Sequence, residues 1–122
     1  MRWLVGPLMA LAVAAQAAPP PNADPALGAW FRGLANPTTK MGCCSIADCR
    51  PIAYRIVGDH YEIKPATTDF TNLPAALLDR WWPVPATAIL QNQSNPTGTA
   101  IACLRSIGGT LDVMCFIRET ES

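Results

Sequence analysis

The residues able to do chemistry in this chain are five cysteines, Cys43, Cys44, Cys49, Cys103 and Cys115, and a single histidine, His60. A spare thiol beside an imidazole is the pair that a thiol-dependent hydrolase needs, given an oxyanion hole as well. Cys43, Cys44, Cys49 and His60 together would be a thiolate–imidazole metal set. The C-C-x4-C spacing matches no common zinc pattern, and there is no C-x-x-C dithiol signature. The structural alternative is simpler: thiols sent to an oxidising compartment become disulfides. All five cysteines are then disulfide candidates, giving two bridges and one unpaired thiol. The odd cysteine also permits a covalent dimer. No catalytic residue, metal ligand or cofactor is assigned.

A bridge from Cys43 or Cys44 to Cys103 or Cys115 would close a loop of about 60 residues, worth roughly 4 kcal/mol in the chain-entropy model. The Cys43–Cys49 loop has few apolar residues of its own and needs an external tie. At least one bridge is therefore expected to join it to the Cys103/Cys115 hairpin. Two local bridges, Cys103–Cys115 and one within the front loop, are the alternative pattern. A Cys43–Cys44 bridge would strain the peptide between them.

Trp81 and Trp82 are adjacent, so in a strand one ring enters the core and the other faces outward. The outward ring, with Tyr61 or Tyr54, would make a stacking platform for a sugar or a peptide. The carboxylates Asp48, Asp59, Glu62, Asp69 and Asp79 form no pair that the sequence justifies. P-loop, G-x-S-x-G, H-E-x-x-H and dinucleotide fingerprints are absent.

What positions these residues begins with the N-terminus. Met1-Arg2, an apolar run from Trp3 to Ala15, and Ala15-Gln16-Ala17 read as a cleavable export signal over residues 1–17. The run is short of the roughly 20 apolar residues of a membrane span. Cleavage leaves 122 − 17 = 105 residues, one domain. With Arg2 removed, 8 basic residues face 9 acidic ones, a net of −1, and the basic residues are dispersed. Nothing in that balance suggests a nucleic-acid or anionic-membrane partner.

Residues 18–23, with Pro19-Pro20-Pro21, form a proline-rich tether, and 24–122 the folded domain. Asp24-Pro25 opens a helix to about Leu34, its apolar face made by Leu27, Trp30, Phe31 and Leu34, and Asn36-Pro37 stops it. Ser45 and Asp48 fit a capping box, with one helical turn inside the front loop. Residues 52–57 and 60–64 alternate around Gly58-Asp59 and form a hairpin. A short helix over Leu73–Leu77, a strand over Arg80–Val84 and a helical turn over Ala86–Leu90 follow. Residues 91–98 are a polar loop, in which Asn92-Gln93-Ser94 matches a glycosylation acceptor. Thr99–Arg105 and Leu111–Arg118 form a second hairpin over Ser106–Thr110. A two-residue Gly108-Gly109 turn alone sets Cys103 opposite Met114; a bulge is needed to set it opposite Cys115.

The run from Gly42 to Pro51 (G-C-C-S-I-A-D-C-R-P), with V-G-D-H-Y-E from Val57 to Glu62, W-x-P-V-P from Trp81 to Pro85, N-P-T-G-x-A-x-x-C from Asn95 to Cys103 and C-F at Cys115-Phe116, resembles a group of small exported bacterial proteins of unknown function. The resemblance implies export and a cysteine-stapled architecture, and carries over no catalytic residue. The chain departs from the group at Ile117–Ser122, where a proline-rich tail would be expected.

The expected fold is mainly β (α+β): four or five antiparallel strands in a small meander or partly closed barrel, with one N-terminal helix and disulfide staples. The expected function is a noncatalytic periplasmic or secreted binding or envelope-associated module. Its ligand would be a protein, peptide or glycan met through Trp81, Trp82 and Tyr61. The other class is a hydrolase or metal-handling protein using the spare cysteine and His60.

Overall fold

A computed structural model describes residues 27–45, 47–91 and 93–119. The expected export signal, the expected tether and the expected helix start at Asp24-Pro25 lie outside the described residues, as does Asn92. Helix α1 spans Gly28–Arg32 and is closed by the N–H of Gly33 on the carbonyls of Ala29 and Trp30. It ends before Asn36, whose side chain has another task.

Among the described residues six strands follow: β1 (Asp48–Pro51), β2 (Ala53–Val57), β3 (His60–Lys64), β4 (Trp82–Pro83), β5 (Ile101–Ile107) and β6 (Thr110–Ile117). They make two antiparallel three-stranded sheets, ordered β1-β5-β6 and β2-β3-β4. The protein is thus mainly β, with one short helix among the described residues. β2-β3-β4 is a meander built on the expected Gly58-Asp59 hairpin. Ile52 alone separates β1 from β2, and its N–H donates to the Ala100 carbonyl at the corner where the chain changes sheets.

The front loop corrects one expectation. Asp48 does not close a helical turn; it begins β1, in which Cys49 lies opposite Cys103 and Arg50 opposite Ala102. Pairing with a buried strand satisfies this backbone better than a lone capped turn would. The short helix expected after Asn72 is a single 3-10 turn, Ala75–Leu77, and the helical turn expected over Ala86–Leu90 is a 3-10 turn at Ala86–Ala88.

β5 and β6 are the middle layer, and side chains alternate across it. Ile101 and Cys103 join a cluster with Phe31, Leu34, Cys43, Ala47 and Cys49 on one side. Ala102 and Leu104 join Ile52, Ile63, Phe70, Val84 and Phe116 on the other. Helix α1 and the front loop therefore cover one face, and the β2-β3-β4 sheet covers the other.

The β5–β6 hairpin has a two-residue turn, Gly108 (φ 59°) and Gly109 (φ 79°), with Ile107 opposite Thr110. Both conformations are left-handed, which glycine adopts at little cost. Farther along, the register shifts: Leu104 faces Val113, but Cys103 faces Cys115. Met114 is the extra residue. Met114 and Cys115 consequently lie in the same core cluster although they are neighbours in a strand. The bulge turns Cys115 toward the front loop and Phe116 toward the second sheet.

Asn36 holds this bulge. Its buried side chain donates from Nδ2 to the Met114 carbonyl (2.6 Å), and its Oδ1 accepts from the N–H groups of Thr38 and Thr39 (2.8 Å each). Asn36→Ala would leave the Met114 carbonyl without this donor and is expected to cost about 1–3 kcal/mol. Urea unfolding of the variant checks this; an unchanged midpoint would mean that the bulge holds itself.

Candidate functional site

Two disulfides tie the front loop to the last hairpin. Cys43 bonds Cys115 across a sequence separation of 72, and Cys49 bonds Cys103 across 54. The expected long-range tie is present twice. β1, β5 and β6 set Cys49, Cys103 and Cys115 side by side in register. The front loop then lays Cys43 over Cys115.

Cys44 is the unpaired thiol, so of the five disulfide candidates it alone bridges nothing. It is half-buried, with its Sγ 2.7 Å from the Sγ of Cys49. Burial pushes its thiol up from 9.0 to about 11; Arg50 works against that shift and Asp48 adds to it. At neutral pH the group is a protonated thiol rather than an activated nucleophile.

His60 is not its partner. It extends from the exposed outer face of β3, with Nδ1 3.6 Å from Asp59 and Nε2 3.5 Å from Glu62. The middle sheet separates it from Cys44. Cys43 and Cys49, the other sulfurs of the imagined metal set, are consumed by bridges. Neither the Cys–His pair nor the Cys43/Cys44/Cys49/His60 set is assembled.

The two tryptophans lie on different sides of the second sheet, but only Trp82 is in a strand: β4 is the two-residue Trp82–Pro83 rather than the expected Arg80–Val84. Trp82 packs on the second core and donates its indole N–H to the Leu77 carbonyl (2.9 Å). Trp81 lies beyond the outer face of β2-β3, with the Arg55 guanidinium 4.2 Å from its ring centre and the Lys64 ammonium 5.5 Å from it. Both rings are half-exposed. Tyr61 is on the inner face, its ring 5.8 Å from Tyr54 and 5.2 Å from Phe116. Trp81, Trp82 and Tyr61 therefore do not converge on one platform. Tyr54 points its hydroxyl at Glu119, which raises the Tyr54 pKa.

The neighbours of Trp81 were not recognisable as a group in the sequence. Arg55 and Glu62 are cross-strand partners in β2 and β3, and Arg55 donates to Glu62 Oε1 from Nε (2.8 Å) and Nη2 (2.6 Å). The hydrogen bond from Arg55 holds the Glu62 carboxyl below its usual range. The signal was the alternation itself, which sets Arg55, Glu62 and Lys64 on one face.

The contrast between the rings is testable in thermal melts. Trp82→Ala should cost about 2–3 kcal/mol, since a half-exposed ring loses less than the full burial of a core aromatic. Trp81→Ala should cost no more than about 1 kcal/mol, the scale of exposed cation–π contacts. Equal large losses would contradict the division.

A cleft of about 240 Å³ is lined by Thr38, Thr39, Thr87, Arg105, Asp112 and Met114 among others. Arg105 and Asp112 neutralise one another there, Nε to Oδ2 at 2.6 Å. Of the other described carboxylates, Asp48 pairs with Arg50, and Asp79 accepts from Thr67.

Among the described residues, no helix is long and apolar enough to cross a membrane. Comparison with protein-family models, with curated proteins and with solved structures finds no match.

Proposed function

We propose that the protein is an exported, noncatalytic binding module, and that its contact surface is the outer face of β2-β3 around Trp81. The observation that carries this reading is a half-exposed indole flanked by two cations, Arg55 and Lys64, on a sheet face that supports no core. An indole stacks on the C–H faces of sugars or on peptide side chains, and the cations favour carboxylates. Glu62 offsets one charge, so Arg55, Lys64 and Glu62 together carry +1. The matching ligand class is a carboxylate-bearing glycan or glycopeptide of the cell envelope.

Export to the periplasm or beyond is supported by the two long-range bridges and by the Met1–Ala17 pattern. Cys44 would have to leave its contact with Cys49 to join two chains, which favours a monomer over a covalent dimer. The thiol-hydrolase and metal-handling reading loses its support with the separation of Cys44 from His60.

Co-sedimentation with purified insoluble peptidoglycan tests the proposal. Wild-type protein should pellet with it, and Trp81→Ala should lose at least about tenfold in affinity, on the scale of a stacking anchor. Tyr61→Phe should bind as wild type. Absence of binding, or equal binding by Trp81→Ala, would remove the proposal.

A further inference from the structure

The front loop and the middle sheet bring together three sulfurs where one bridge needs two. The Sγ atoms of Cys44, Cys49 and Cys103 all lie within 4.8 Å of one another, and Cys44 touches Cys49 at 2.7 Å. The position is fixed from both sides. Cys43, the residue before Cys44, is bonded to Cys115 in β6, and Cys49 is paired with Cys103 across β1 and β5. A thiol held against one sulfur of a disulfide is the arrangement from which exchange proceeds.

We propose that Cys44 and the Cys49–Cys103 bridge form a thiol–disulfide exchange site with two bridge isomers, Cys49–Cys103 and Cys44–Cys49. The Cys44 thiol gives its proton to solvent and its thiolate attacks Cys49 Sγ. The Cys44–Cys49 bond forms as the Cys49–Cys103 bond breaks. The electron pair of the broken bond leaves on Cys103 Sγ, which takes up a proton. One thiol and one disulfide stand on each side, so no oxidant or reductant is consumed.

The consequence is structural. The first isomer joins residues 54 apart, whereas the second joins residues five apart in the front loop. Exchange therefore turns a tie between β1 and β5 into a local one, while Cys43–Cys115 still holds the loop. The thiol released, Cys103, is fully buried. Exposure to external thiols thus differs between the isomers. Exchange is gated by the thiolate of Cys44, which burial and Asp48 disfavour and Arg50 favours. Its rate should rise about tenfold per pH unit while the thiolate is the minor species. This site is independent of the Trp81 surface and stands or falls separately.

The test uses the mature oxidised chain in alkaline buffer without reductant, quenched in acid at intervals. Free thiols are alkylated, and the chain is cut before its aspartates. Cys49, Cys103 and Cys115 then fall on separate peptides, Asp48–Gly58, Asp79–Leu111 and the peptide starting at Asp112, apart from Cys43 and Cys44 on the peptide ending at Ala47. At the start the label should sit on Cys44. With time it should appear on Cys103, and the Asp48–Gly58 peptide should become linked to the Cys43/Cys44 peptide. Label confined to Cys44 at every pH would overturn the proposal. Cys103→Ser should form the Cys44–Cys49 bridge and show no free thiol; free Cys44 and Cys49 in that variant would also overturn it. Cys44→Ser should show no label on Cys103, and labelling there would assign the opening to something other than Cys44.

Discussion

Replacing Cys43 and Cys115 together by alanine is expected to destabilise the protein by about 2–5 kcal/mol, the usual cost of losing a native bridge in a small domain. The bridge joins residues 72 apart, and both cysteines are fully buried. In the chain-entropy model a loop of that length restricts the unfolded chain by roughly 4 kcal/mol. Upstream of the front loop, the Asn36 amide on the Met114 carbonyl is a second tie to β6. Both cysteines must be changed at once. With Cys43 alone removed, the neighbouring Cys44 could take up Cys115 and mask the loss. Chemical denaturation of the double variant against wild type gives the value. A loss below about 1 kcal/mol would mean that the unfolded chain is already compact around these residues.

Phe116→Ala is expected to cost about 3–5 kcal/mol, the range for deleting a fully buried aromatic ring. Phe116 is inaccessible and fills the space between the two sheets, against Tyr54 and Tyr61. No neighbour can collapse into the void easily, because its surroundings belong to two separately hydrogen-bonded sheets. Its backbone also carries the segment after the second 3-10 turn: the Leu90 N–H donates to its carbonyl at 3.0 Å. The truncation leaves that bond in place, so the measured loss reports packing. Thermal and urea unfolding should agree; a loss under about 1.5 kcal/mol would show that the sheets can close over the gap.

These positions also show what could be read from the chain and what could not. Both hairpins were legible, because alternation of apolar side chains and glycine-bearing turns are local signals. The division of Trp81 from Trp82 was legible only in part: Trp81 precedes the two-residue β4, and both rings are half-exposed. β1 was hidden: Asp-Cys-Arg-Pro has no apolar alternation, and its partner in β5 lies more than 50 residues away. The bulge was legible only as a choice. Leu111 to Ile117 reads as a nearly continuous apolar run, and no residue in it marks Met114 as the extra one. The donor that steadies it, Asn36, reads locally as a helix stop. Cys43 and Cys44 were interchangeable in sequence, since adjacent residues differ only in direction. The register of the front loop against β6 selects Cys43 for the bridge. On the site, strand pairing placed Arg55, Glu62 and Lys64 together, whereas Tyr61, an expected partner of the outward tryptophan, lies on the inner face, away from Trp81.

The measurement closest to the proposed function is an amide and indole shift map of isotope-labelled protein titrated with soluble peptidoglycan fragments. Binding at the proposed surface would move the Trp81 indole and the amides of Arg55, Glu62 and Lys64, and leave Thr38, Arg105 and Asp112 unchanged. Shifts confined to the Asn36–Asp112 cleft, or no shifts at all, would contradict it.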